Sequence, residues 1–408
     1  MSMPALLRRV VLAGLCVLSP TVWGPTVKIT AFYEPDPNNP HNTHFINTTP
    51  QAAFCLRWPE YCRALGAFSV GIPITYNKES VQGASDVRDR FFVQLPGQRN
   101  FQISNVATGR SYPVEFRITH VSQMGRSMRL GDSIHNHPIF TQYPGGGCRY
   151  LKTFHQTSRP REVHYLWNVT NPPAPAGCHS QSSFAPNGHQ VPLEMETFGI
   201  GFELNLPPPL DIPNGMYTAT QTFSVGPGAE FDLGNHVSGL NTSEVTLEFE
   251  LAVNHHLKTE FPPGSERAVL EPRDGWAGWV NRGQRPEQLQ RDIPFRVWSS
   301  GPFSMYTLCQ YPQGAGCAMR RNGGDTLAAF NVAVSLPAHI QVGNGRPVRR
   351  EVLPVGRQNA LNLRTVSAAF QQPATLHFQT VGTAVEQMLA HPGSQFEGIV
   401  TVFFEPFI

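Results

Sequence analysis

Hydrophobic and polar positions alternate with period two along much of this chain, most regularly at its end. In Gly398–Ile408, Gly398, Val400, Val402 and Phe404 share one face, and Ile399, Thr401 and Phe403 share the other. Both faces are largely apolar, so the segment predicts a strand that needs neighbours on both sides. The sequence stops there without a run that pairs the strand's edge, and such a strand is expected to pair with another chain. The same alternation, bounded by Gly, Pro and Asn turn signals, predicts strands at Phe91–Gln94, Val114–Val121, Phe202–Leu206, Val245–Val253, Phe330–Leu336 and Leu376–Val381. Helical periodicity is scarce; its best example is Thr383–Ala390, ended by His391-Pro392-Gly393. The predicted fold class is all-β, with two β-sandwich domains in series.

An internal echo supports the division. Asn214–Val225 and Gly393–Phe404 each carry a turn, then an aromatic residue, then spaced apolar residues, and both read as the closing strand of a sandwich. The Gly/Asn/Ser-rich segment Gly226–Asn241 then reads as a linker. That places one domain at 25–238 and a second at 239–408.

Residues 1–24 read as a secretory signal peptide. Arg8 and Arg9 precede the apolar Val10–Ser19, which is too short to span a bilayer, and Val22-Trp23-Gly24 offers a cleavage site. Removing Cys16 from the seven cysteines leaves Cys55, Cys62, Cys148, Cys178, Cys309 and Cys317, an even number suited to an oxidising compartment. Fifteen pairings are open in principle; the spacing suggests Cys55–Cys62, Cys148–Cys178 and Cys309–Cys317. Closing those loops is worth about 2.5, 3.7 and 2.6 kcal/mol under the chain-entropy model. The short spacings are not CxxC, which argues against zinc ribbons and thioredoxin-like chemistry.

Charged residues make up only 15% of the chain while Gly (36) and Pro (37) are abundant, a balance that fits short strands joined by turns. The net charge of +2 is too small to imply a nucleic-acid partner. No catalytic signature stands out: HExxH, P-loop and GxGxxG patterns are absent, and paired carboxylates are not evident. Gly131-Asp132-Ser133 with His135 or His137 suggests a serine hydrolase, but no strand-to-helix elbow surrounds Ser133. His135 and His137 with His155 or His164, or His41 with His44, have the makings of a metal site; polar loop histidines are the expected reading, with no metal and no cofactor. In the Cys55–Cys62 loop, Arg57, Trp58 and Tyr61 are the candidate ligand-binding residues, a cationic and aromatic set on a stapled loop that loses little entropy on binding. Trp276, Trp279 and Trp298 are expected in the second core.

These features together resemble the two-domain tip adhesins of bacterial chaperone–usher fimbriae. The carrying residues are Phe45–Cys62 and Gly215–Gly234 in the first domain, with Leu247–Pro262, Gly275–Trp279, Cys309–Cys317 and the terminal strand in the second. The resemblance implies a C-terminal pilin domain that is an immunoglobulin-like sandwich lacking its last strand. A periplasmic chaperone lends a strand to the open groove, and an adjacent pilin subunit then replaces it at the outer-membrane usher; chaperone–pilin complementation is a known instance of β-augmentation. Val400, Val402 and Phe404 would border the groove, with the Ile408 carboxylate anchored in the chaperone. A tip subunit needs no donor strand, and the turn-rich Glu34–Pro40 agrees. The implied protein is not an enzyme. It is exported through the periplasm to the fimbrium tip and binds a host or surface receptor such as a glycan through its first domain. The rival readings are an assembly-initiating or minor structural subunit without a receptor, and a secreted hydrolase.

Overall fold

The computed structural model describes residues 24–39, 42–127, 143–156, 162–181 and 186–407. Residues 1–23 of the signal-peptide reading of 1–24, His41, the Gly131–His137 segment and Ile408 therefore lie outside the described residues. Strands dominate, as the alternation predicts, and they gather around two hydrophobic cores.

The first core rests on a 13-stranded sheet. Its spine is the 17-residue strand Ser111–Ser127, paired along one edge with Gln190–Asn205. The other edge is shared, by Arg99–Asn105 near Ser111–Phe116 and by Glu162–Val169 near His120–Arg126. Trp167, Tyr165, Phe116, Phe198 and Phe249 are fully buried beneath it. A three-stranded sheet, Phe92–Val93, Cys178–Ser180 and Pro144–Gly146, contributes Phe91, Val93 and Cys178 to the same core.

Two sequence expectations change here. Gly215–Gly226 does not close a sandwich, because Glu244–Val253 follows it antiparallel and in turn pairs in parallel with Thr26–Tyr33. Val245, Leu247, Phe249, Leu251 and Val253 alternate into the first core, so that core runs past the expected 238/239 boundary as far as Val253. Gly226–Asn241 is not a linker either: Phe231 and Leu233 are fully buried within it. The buried Lys78 ammonium pins this segment by donating to the carbonyls of Arg88 (2.8 Å) and Asn235, beside an Arg88–Asp232 ion pair. Burial pushes that ammonium down to about 8. A charge held there by carbonyls and carboxylates makes the segment costly to displace.

The second core lies between an eight-stranded and a four-stranded sheet. Gln288–Ser299, Ala369–Val381 and Leu327–Ser335 form the centre of the first; Phe303–Cys309 lies between Leu361–Thr365 and Val400–Pro406 in the second. Phe295, Phe303, Phe330 and Leu376 fill the space between them. The tryptophans do not: Trp276 is 38% exposed, Trp298 is half-buried under the Lys258 ammonium, and Trp279 is half-buried on the short helix Ala277–Arg282, which has no fully buried residue.

Chain segments from both cores meet at Asn254–His256. His255 lies between strands rather than in one; its Nε2–H donates to the Ile212 carbonyl (2.8 Å) and its Nδ1 faces Ser300 Oγ (3.3 Å). Burial lowers its pKa and so favours the neutral ring. Asn214 N–H donates to the Phe407 carbonyl at 3.2 Å, tying the end of the terminal strand to the first core. Among the described residues no helix is long and apolar enough to cross a membrane.

The three disulfides are Cys55–Cys62, Cys148–Cys178 and Cys309–Cys317, with Cα–Cα distances of 5.2, 5.3 and 5.5 Å. Cys148–Cys178 closes the longest loop and ties the three-stranded sheet to the core, so Cys148→Ser with Cys178→Ser is expected to lower unfolding free energy by about 2–4 kcal/mol in denaturant titration. Removing Cys309–Cys317, which joins the two sheets of the second core but spans a sequence separation of only 8 against 30, is expected to cost less; the reverse order would contradict this ranking.

Candidate functional site

The second sandwich is open along one side. Its eight-stranded sheet begins at the short strand Leu257–Glu260, which pairs with Arg296–Ser299 and then leaves the ladder. The chain returns only at a single bridge, Glu271 to Gln290. Its four-stranded sheet ends at Val400–Pro406, whose sole partner strand among the described residues is Phe303–Cys309. Between these two rims lies a groove of about 760 Å³, with Phe261, Pro262, Ala268 and Leu270 on one side and Val400, Val402 and Phe404 on the other. Ile293, Phe330, Leu376 and Phe378 form its floor.

Strand geometry specifies what the open edge presents. Gln310 N–H donates to the Ile399 carbonyl and Phe407 N–H to the Pro302 carbonyl. Backbone groups in an antiparallel ladder bond to one neighbour at every second residue. The odd positions Thr401, Phe403 and Glu405 thus face Phe303–Cys309, and Val400, Val402 and Phe404 turn their N–H and C=O groups to the empty edge. Their side chains pack, half-buried, against the core at the same time. Each therefore offers both a ladder bond and an apolar surface to an incoming strand. The opposite face is already settled: Phe403 stacks on Tyr306 with centroids 4.7 Å apart, and Glu405 binds Arg357 at 2.9 Å. Pro406 has no N–H to offer, although the ladder reaches it. Gly398 admits the crossing into this strand, since a Cβ there would lie 2.8 Å from the Ala318 carbonyl.

The other expected site is not a loop. Residues 53–64 form two short helices, α1 (Ala53–Arg57) and α2 (Pro59–Ala64), joined at Trp58 and stapled by Cys55–Cys62. Proline at the first position of α2 starts that helix without losing a hydrogen bond. Phe54 and both cysteines bury against Leu166, which seats the pair on the first sheet. Arg57 and Trp58 line a cavity of about 330 Å³. Tyr61 does not; it packs beside Leu151 with the Lys152 ammonium 5.0 Å above its ring. The cavity also takes in Ser122, His164 and Thr197 from three strands, residues the sequence pattern did not connect. Burial first, and then the Arg57 charge, lowers the His164 pKa. No group of three or more His, Cys, Asp or Glu side chains is placed to hold a metal among the described residues; His135 and His137 lie outside them.

No protein-family model matches the chain, and no curated protein matches its sequence. Solved structures similar to it include CfaE, the adhesive subunit of CFA/I fimbria of enterotoxigenic Escherichia coli, at 9% identity and a TM-score of 0.26, covering 94% of this chain and 93% of that one. The CsuC–CsuE chaperone–tip adhesion subunit pre-assembly complex of Acinetobacter baumannii Csu pili is similar at 9% identity and a TM-score of 0.22, covering 94% and 98%. Likenesses of that size carry no weight in assigning a function, which has to come from the chain's own geometry.

Hydrogen exchange reads the open edge directly. The amides of Val400, Val402 and Phe404 are expected to exchange quickly, while those of Thr401, Phe403 and Glu405 are protected. Uniform protection across Val400–Glu405 in the isolated monomer would mean that the edge is already paired.

Proposed function

We propose that this chain is a tip adhesin of a chaperone–usher fimbria, with a receptor-binding first sandwich and a second sandwich that is an incomplete immunoglobulin-like pilin fold. The observation that carries the reading is the groove between Phe261–Leu270 and Val400–Phe404, shaped for one more strand. Three residues there present unpaired backbone groups and half-buried apolar side chains in register. A long apolar edge left in this state is an aggregation hazard unless a partner covers it. A strand lent by a periplasmic chaperone, and later by an adjacent pilin subunit at the usher, meets both needs by β-augmentation. Export through the periplasm and a position at the fimbrium tip follow from the same assembly route.

The first core supports the division of labour. Its N-terminal strand Thr26–Tyr33 is held in its own sheet, between Glu244–Val253 and Ile46–Asn47, and is not free to complete a neighbour. Receptor contact is then assigned to the first core, and assembly to the second.

The test is complementation. Appending a short linker and a strand of alternating apolar residues to the full chain should yield a monomer. Burying two or three large apolar side chains is worth about 4 kcal/mol or more, and a fold of this size gains about 2–4 °C per kcal/mol. The melting temperature is therefore expected to rise by roughly 10 °C over the unfused chain. The unfused chain should stay monomeric only when dilute and should aggregate as its concentration rises unless its chaperone is present. A stable unfused monomer that gains nothing from the strand would refute the proposal.

A further inference from the structure

We infer that the pole of the second sandwich remote from the first core seats the folded body of the pilin subunit that donates the strand. The inference rests on the fimbrial reading and adds to it a second contact beyond the donor strand. The place of the first core decides where that body has to lie. One rim of the groove starts at Leu257, directly after His256, and the other ends at Pro406, directly before Phe407. At that end His255 bonds Ile212, Phe407 accepts from Asn214, and Arg364 pairs with Asp211 at 3.6 Å. The first core thus stands across this mouth of the groove. A strand lying in the groove has to join its own fold through the opposite mouth.

That mouth opens beside an apolar pole. Ser299 pairs with Leu257 near the first core; Gln288, at the other end of the same strand, lies roughly 35 Å away and pairs with Val381. The groove rim reaches this end at the Glu271–Gln290 bridge and then runs into α3 (Ala277–Arg282). Between α3 and α4 (Thr383–Leu389) lies a cavity of about 830 Å³, lined by Trp279, Val381 and Leu389 together with Arg285, Glu287 and Glu386. Gly382 N–H donates to the Glu287 carbonyl at 3.1 Å and ties its two walls together. Val280 beside it is 75% exposed, and Trp276 and Val381 are exposed as well. Helix α3 has six residues and none is fully buried. So short a helix is marginal in water and owes its stability to packing, which this one lacks on the outer side. Tryptophan and arginine at an apolar centre with a charged rim is the composition of a protein interface. Its cover has to persist after a chaperone departs, and the subunit that replaces the chaperone is the partner that stays. Continuity of the rim with α3 makes one subunit able to fill the groove and cover the pole together.

The test places the photo-crosslinking residue p-benzoylphenylalanine in the full chain, in cells that build the fimbria. It replaces Val280 in one experiment and Glu266, exposed on the groove rim, in another. Both positions are expected to link to the same pilin subunit, Glu266 to its N-terminal strand and Val280 to a peptide outside that strand. Trp279→Ala with Val280→Ser should raise the rate at which this chain is lost from isolated fimbriae by roughly tenfold, the scale of an interface anchor. The same pair should leave the melting temperature of the strand-fused chain unchanged, since α3 contributes no fully buried side chain. If Glu266 links to a pilin while Val280 links only to the chaperone, to a second copy of this chain or to nothing, the inference is overturned and strand donation stands. A wild-type rate of loss in the double variant also overturns it. If neither position links to a pilin, the fimbrial reading falls and this inference falls with it. A pilin link at Val280 without one at Glu266 upholds the pole as a contact surface and strikes strand donation.

Discussion

The second half of this molecule depends on one unmet need: the ladder bonds and apolar cover that Val400, Val402 and Phe404 lack on their outer edge. All three point their backbone groups and their side chains towards the groove, so the two deficits coincide. The rest of the sandwich preserves that coincidence. Phe403 and Glu405 fix the strand's other face through Tyr306 and Arg357, which holds its register. The segment after Glu260 carries Phe261 onto Phe295 and then lines the far rim instead of continuing along Gln288–Ser299. A one-residue slip would turn Val400, Val402 and Phe404 away from the groove and remove both features at once.

The first core solves the same edge problem internally. Its spine strand is paired along both sides, and Thr26–Tyr33 joins in parallel next to Glu244–Val253. Having closed itself, it can carry a rigid surface feature. The Cys55–Cys62 bridge and the burial of Phe54 hold α1 and α2 over the sheet, so Arg57 and Trp58 keep their places without help from a ligand. The two halves still touch the same short segments. Phe407, one residue past the terminal strand, donates to Pro302 of its own sandwich and accepts from Asn214 of the other. His255, between the last strand of the first core and the first strand of the second, binds Ile212 on one side and Ser300 on the other.

How legible each part was depended on the range of the interaction that decides it. Period-two alternation located Val245–Val253 and the terminal strand closely, because the side chains of one strand follow from its backbone alone. It also revealed that both faces of Val400–Phe404 are apolar, and hence that the strand wants more neighbours than it has. Local cysteine spacing suggested the three bridges that the structure contains. The helical hairpin at Ala53–Ala64 escaped notice because two helices of five and six residues show too little periodicity to register. Trp276 and Trp279 were misassigned because hydrophobicity alone does not say whether a short helix is covered.

Whether Glu244–Val253 serves the first core or the second is a question of pairing, and its alternation is the same in either place. Only contact with Gly215–Gly226 and Thr26–Tyr33 answers it. The cavity is likewise tertiary, since Arg57, Ser122, His164 and Thr197 come from four elements far apart in the chain. By itself the sequence determined an all-β chain, the spacing of its staples and an apolar strand in want of a partner, because each depends on neighbours along the backbone. The placing of the boundary, the shape of the groove and the grouping of the cavity residues were decided by tertiary structure, because each depends on which distant strands share hydrogen bonds and a core.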